Sequence, residues 1–426
     1  MMRQPHLLVI IATASILVAL PHTIHATEDD PLISGFSDYV GWFRSHGGTV
    51  DDRITIGYEP GTNIRGMIAT ASIPANTLLI HTPASLILSS GDDDSCHMVE
   101  EIIHELKMGF QSKWQTHFDF DDSAATRLPT LWDRANGPGR AKVELQGLPP
   151  TGETHSHIDW YLGSCKEGRA MTHWDWKALM IYVTRSAGLG IIPMYVLLNH
   201  HNGRINTKLV VDEEGGLSVI ALTDISAKEP IYLTYTRAGS ESTIDTFNTY
   251  GFVEDYPQLW RWDDEKLIKL SQENEDHAYH RYGSDNHVAL EPNSHQYEVL
   301  VISPTLAALL PTKEVTQILG NAQRSLEEWQ QLSVAHHANL RASHANALHD
   351  SAMALLNKLP TTIEEDEVLI PDERRRLEMM KEGGRAYVSK ADTIQAIEFR
   401  LAFKKALRLA IEVAERETFL SDSEEL

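Results

Sequence analysis

The chain is short of cationic charge, nearly devoid of cysteine, and has only one long apolar run. Lys and Arg number 37 against 60 Asp and Glu over 426 residues, a formal charge of −23. That deficit excludes recognition of a phosphate backbone, which needs clustered cations. It favours approach by a basic partner, at rates that fall with salt. Two cysteines, Cys96 and Cys165, make neither a disulfide framework nor a thiolate metal motif. An oxidising compartment would permit one bond between them, but by themselves they read as two isolated small hydrophobes. There is no GxSxG elbow, no P-loop and no GxGxxG after a strand. Hydrolase, NTPase and dinucleotide-binding readings therefore have no motif to rest on.

The one long apolar run stands at the start. Arg3 precedes "HLLVIIATASILVAL", then Pro21 and "TIHA" lead into an acidic segment. This order predicts a signal peptide over residues 1–26, cleaved after Ala26. It implies passage into the secretory pathway, whether to the endoplasmic reticulum, the exterior or a plastid reached through it. No membrane association is expected once it is removed.

The chain has enough apolar content, 42% hydrophobic overall, for two to three domains. "GMIATASI" and "TLLIHTPASLIL", separated by Pro74-Ala75-Asn76, are β-branched and aliphatic runs that predict strands. From about 92 to 190 the pattern turns helical, with Met98, Ile102, Ile103 and Leu106 on one stripe. "WDWKALMIYVTRSAGL" predicts a further helix ending near Gly188. Strand character returns in "KLVVDEEGGLSVIALTDISAKEPIYLTYT", where Glu213-Glu214-Gly215-Gly216 signals a hairpin turn. Beyond about 258 the pattern is helical, with Leu326, Trp329, Leu332 and Leu340 in phase and a capping box at Thr361 and Glu364.

The 21 histidines invite a metal reading. His336, His337, His344 and His349 include no i,i+4 pair, and His155 and His157 lack a cysteine or carboxylate partner nearby. No metal is expected. The informative positions are scattered: Arg65-Gly66 between apolar runs, Arg185 at a helix end, Asn199-His200 closing "PMYVLLNHHNG", Tyr235 ending "IYLTY", and Tyr250-Gly251-Phe252. Taken singly, each has an ordinary structural explanation, as a turn glycine, a helix-end charge or a core ring.

Their order resembles the SET-domain protein methyltransferases, in the branch that contains Rubisco large-subunit lysine methyltransferase and the actin-histidine methyltransferase. "RGMIATASIPANTLLIHTPASLIL" is similar to the opening block, "VLLNHHNG" to the Asn-His signature, and "KEPIYLTY" with "YGF" to the closing block. "LLNKLPTTIEEDEVL" and "AIEFRLAFKKAL" resemble the branch's helical C-terminal domain. The likeness spans roughly residues 52 to 410. It implies an α+β fold, with a β-rich SET core over 32–255 split by a helical insert at about 92–190. An all-helical substrate-binding domain over 258–426 would complete the chain.

The resemblance also implies the chemistry. S-adenosylmethionine would be held by Arg65, Gly66, Arg185, Asn199 and His200. Tyr235 would stand at the transfer point, and Tyr250 and Phe252 would wall the substrate channel. The acceptor would be a lysine of a protein substrate, with histidine the second choice. Lysine must react as the neutral amine, which at neutral pH means overcoming about three pKa units, or about 4 kcal/mol. Apolar channel walls and a neighbouring sulfonium both lower that pKa. Two positions depart from the family pattern: Val196 stands where an Asp usually precedes the Asn, and Thr243 stands where an Asn follows the tyrosine. The alternative reading is a SET-fold module that has lost catalysis and binds a protein. The number of subunits is not legible.

Overall fold

The computed structural model describes residues 31–60, 64–91, 94–121, 128–129, 132, 140–148, 156–201, 204–235, 243–254, 258–263, 296–301, 338–380 and 385–424. The predicted signal peptide, Leu326, Trp329, Leu332, His155, His336 and His337 lie outside them. The described residues divide into two compact units, those within 31–129 with 156–235, and those within 132–148 with 243–424.

The first unit is built on short strands. They are β1 (Thr49–Val50), β2 (Ile54–Tyr58), β3 (Arg65–Ala69), β4 (Leu78–Thr82), β5 (Ser186–Ala187), β6 (Gly190–Ile191), β7 (Asn199–His200), β8 (Thr207–Val211), β9 (Leu217–Ala221) and β10 (Tyr232–Leu233). Arg65-Gly66, expected to link two strands, lies inside one of them. β2 and β3 pair antiparallel, and a four-stranded sheet runs β1-β4-β9-β8. The predicted hairpin joins β8 to β9, where Asp212 accepts from the Gly216 N–H and Gly215 takes φ +85°. That left-handed position favours glycine.

β7 and β10 pair in parallel, Asn199 opposite Tyr232 and His200 opposite Leu233. A parallel pair needs a crossover between its strands, and the β8–β9 hairpin is contained in that crossover. Backbone bonds from Ile231 to Met67 and from Ala69 to Glu229 tie the approach to β10 against β3. Their apolar faces close over Phe43, Met67, Ile73, Leu79, Val219 and Ile231, all buried.

The insert contributes helices Ser95–Met108, Gln115–Asp121, Ser156–Trp160 and His173–Arg185. Alternate apolar turns of the first bury Met98, Val99, Ile102 and Leu106, as its stripe predicts. The last starts at a capping box between Thr172 and Asp175. Cys96 and Cys165 form a disulfide across 69 residues of chain, which corrects the reading of two isolated hydrophobes. Closing a loop of that length removes about 4 kcal/mol of unfolded-state entropy in the chain-entropy treatment.

The second unit packs helices Arg140–Glu144, Thr243–Tyr250, Ala338–Lys358, Ile363–Glu378 and Arg385–Glu424. The sequence pattern predicts helix from residue 258, but an antiparallel strand pair, Gln258–Asp263 with Gln296–Val301, precedes the long helices. Its core joins Trp132, Phe247, Trp260, Phe399 and Phe403. Within it lies a fully buried ion cluster. Asp366 accepts from Arg400 at 2.5 Å and from Lys404 at 2.7 Å, while Arg400 also donates to Glu144. The capping box forms one residue later than expected, at Thr362 and Glu365. Thr361 instead receives the Lys404 ammonium on its carbonyl and its hydroxyl.

Candidate functional site

Arg65, Gly66, Asn199, His200 and Tyr235 meet where β7, β10 and the β2–β3 pair converge. Gly66 faces Asn199 so closely that a β-carbon there would sit 2.8 Å from Asn199 Cγ and nearer still to Nδ2. The Asn199 amide uses both donor positions inward, giving Nδ2 bonds of 2.8 Å to Glu59 Oε1 and 3.0 Å to the Arg65 carbonyl. Glu59 is buried, and its second oxygen accepts from the Tyr232 hydroxyl at 2.6 Å. Glu59 and Tyr232 were not among the expected site residues.

His200 and Tyr235 are coupled. The Tyr235 N–H donates to His200 Nδ1 at 2.9 Å, so the neutral imidazole carries its proton on Nε2. The Tyr235 hydroxyl donates to the Leu198 carbonyl at 2.8 Å, and the two rings lie 5.3 Å apart. The phenol is thus directed by the residue immediately before Asn199.

The turn feeding this strand is strained. Met194 has φ +66° and ψ −46°, and the Tyr195 N–H reaches back to the Pro193 carbonyl at 2.8 Å. That geometry is a γ-turn of the rarer, costly hand. It is pinned by Tyr39, whose hydroxyl accepts from the Met194 N–H at 3.2 Å and bonds His117 Nδ1 at 2.8 Å. The direction of the bond to His117 follows from the imidazole tautomer: Nδ1 accepts the phenol proton when the ring carries its hydrogen on Nε2. Burial pushes the His117 pKa down to about 3, with the charge of Arg185 adding to the shift. Arg185, the last residue of its helix, is therefore placed within electrostatic reach of His117.

Val196, at the position of the departed Asp, is buried in the short turn Tyr195–Leu197. Tyr250 and Phe252 belong to the second unit, their rings 6.2 Å apart. There the Gly251 carbonyl between them accepts from Gln395 of the long helix at 2.8 Å. Thr243, at the second departure, is buried and donates to Glu254 at 2.8 Å. Among the described residues no group of three or more His, Cys, Asp or Glu side chains is arranged to hold a metal ion.

A glycine that admits a side-chain amide, a parallel two-residue crossing and a strand-end phenol directed by that crossing define the class. Residues 64–236 match the family model of the SET domain, and the chain carries that domain. Three solved structures share its fold across 92% of this chain and 93% of theirs. They are the SET domain of LSMT bound to methyllysine and AdoHcy (16% identical, TM-score 0.53), Rubisco LSMT bound to sinefungin and monomethyllysine (16%, 0.52), and Rubisco LSMT bound to AdoMet (15%, 0.50). No curated protein sequence matches the chain.

Proposed function

We propose that the protein is an S-adenosylmethionine-dependent protein methyltransferase whose acceptor is a lysine side chain. The observation that carries this reading is the convergence of Gly66, Asn199, His200 and Tyr235 within a SET domain. The ligands of the structures that share its fold, AdoMet, AdoHcy and methyllysine, support it.

The residues suit such a cofactor. Gly66 leaves room beside β3 where any side chain would strike Asn199. Asn199, with its amide hydrogens turned inward, offers an acceptor outward. His200 offers its Nε2 side, and Arg65 and Arg185 would complete the binding set. When bound, S-adenosylmethionine supplies a sulfonium methyl for in-line displacement, which requires no metal.

The chain's own work is then positioning. Tyr235 is the catalytic side chain: with its proton given to the Leu198 carbonyl, its oxygen turns lone pairs toward an incoming amine. Such an acceptor orients the amine, and the apolar channel walls that the resemblance implies would favour its neutral form. Tyr250 and Phe252 are proposed as the aromatic substrate contacts, able to stabilise a cation by ring quadrupole. The substrate is a protein, and the charge of −23 favours a basic one.

The disulfide between Cys96 and Cys165, together with the amino-terminal sequence pattern, supports action inside an oxidising compartment of the secretory pathway. Calorimetric titration with S-adenosylmethionine, then labelled-methyl transfer to a secretory-fraction lysate and mapping of the label, tests the reading. Saturable heat and a labelled lysine are expected. A labelled histidine would change the acceptor. Absence of heat at millimolar cofactor would leave a binding module.

A further inference from the structure

The Asn199 side chain makes two hydrogen bonds, and both use Nδ2: one to Glu59 Oε1 and one to the Arg65 carbonyl. A primary amide has two N–H donors, so these bonds spend both. They also fix which way the amide faces, because a flipped amide would set its oxygen against a carboxylate and a carbonyl. No described residue donates to Asn199 Oδ1. A half-buried acceptor is therefore held, in one orientation, without a partner of its own.

The element responsible is Glu59. It comes directly after β2, and its N–H bonds the Ile64 carbonyl at 2.8 Å, closing the β2–β3 loop on itself. Its carboxylate is buried and bridges two strands, taking Asn199 Nδ2 of β7 on one oxygen and the Tyr232 hydroxyl of β10 on the other at 2.6 Å. Asn199 and Tyr232 are register partners in the parallel pair. One carboxylate thus clips the crossing from the side. Charge-assisted bonds of this kind are shorter and roughly twice as strong as neutral ones, and groups behind a ligand-binding side chain set its orientation.

We propose that Glu59 is a positioning residue: it locks the Asn199 amide so that Oδ1 is presented as an acceptor for a cationic N–H donor of the ligand. This rests on the proposed cofactor. On S-adenosylmethionine the group of that chemistry is the α-ammonium of the methionyl part. Glu59 does not touch the ligand; it acts through Asn199. The consequence is selective: loss of Glu59 weakens ligands that carry the ammonium and spares those that lack it.

The test compares two ligands on the full-length protein by calorimetry. AdoHcy carries the α-ammonium; 5′-methylthioadenosine keeps the adenosine and sulfur but lacks the aminocarboxypropyl group. Glu59→Gln, which removes the charge and leaves one acceptor oxygen where Asn199 and Tyr232 each use one, is expected to weaken AdoHcy at least tenfold. Methylthioadenosine should stay within twofold. In turnover, KM for S-adenosylmethionine should rise by a similar factor while kcat at saturation holds within threefold. Equal weakening of both ligands, or none for AdoHcy, would overturn the proposal. Glu59→Asp decides the matter if the Gln variant does not fold. It keeps the charge but shortens the reach, and a loss of threefold or more confined to AdoHcy supports the role, whereas unchanged affinity refutes it. Wild-type protein that binds neither ligand would refute the methyltransferase reading instead.

Discussion

Gly66 and Asn199 occupy space that one additional carbon would contest: a β-carbon on residue 66 would lie 2.8 Å from Asn199 Cγ. The neighbour it strikes is the amide already bonded to Glu59 and Arg65, so the clash cannot be relieved without breaking those bonds. Gly66→Ala should therefore displace Asn199 and weaken AdoHcy binding by at least tenfold, while losing on the order of 1–3 kcal/mol of stability through overpacking. Calorimetry and chemical denaturation on the same variant measure both effects. An alanine variant that binds normally would show that Asn199 can move without consequence.

Tyr235 donates its hydroxyl proton to the Leu198 carbonyl and stands against His200. Removing the hydroxyl alone leaves the ring contact and the backbone bond to His200 in place. Tyr235→Phe should lower kcat by a factor of 100 or more and change AdoHcy affinity less than threefold. Single-turnover methyl transfer alongside titration separates the two. Equal losses in both would assign the phenol to binding.

His117 makes the fold sensitive to acid. Its pKa in the folded protein lies at about 3, below the ordinary 6.5, so the unfolded chain takes up a proton that the folded chain refuses. The stabilisation is fully present above about pH 6.5 and is lost as pH falls through about 3, at up to about 1.4 kcal/mol for each unit between. Thermal unfolding measured between pH 7 and 4 should show this loss, and His117→Gln should flatten the profile while lowering stability at pH 7. An unchanged slope in that variant would remove His117 as the source.

Asp366 receives two fully buried cations, Arg400 and Lys404. Its carboxyl is held below the usual range: burial opposes ionisation, and the bonds to Arg400 and Lys404 overcome it. Asp366→Ala would leave the buried Lys404 without a carboxylate and Arg400 with Glu144 alone, and breaking a buried ion pair by removing one partner costs about 3–5 kcal/mol. Urea denaturation should report it. Replacing Asp366, Arg400 and Lys404 together by apolar residues should recover much of that loss.

Local pattern was a good guide where structure is local. The Glu213–Gly216 turn, the stripe through Met98 and Ile102, and the helix after Thr172 depend on neighbours a few residues away. The order of Gly66, Asn199, His200 and Tyr235 was also legible, through resemblance. Glu59 was not, because its partners lie 140 and 173 residues along the chain and a lone glutamate after a strand has no signature. Tyr39 and His117, 78 residues apart, escaped for the same reason. The cap was misplaced by one because both threonines fit the motif; a lysine 43 residues further on takes the first. Two cysteines separated by 69 residues carry no hint of contact until the helices that bear them are packed.

That bond has a topological consequence. Trp132, Ala141, Leu145 and Leu148, which belong to the core of the second unit, lie inside the ring of chain that Cys96 and Cys165 close. A protease nick anywhere within the ring therefore leaves one covalent molecule, and only added thiol releases two fragments on a gel. Intact mobility without reductant is no proof of an unbroken backbone in this protein.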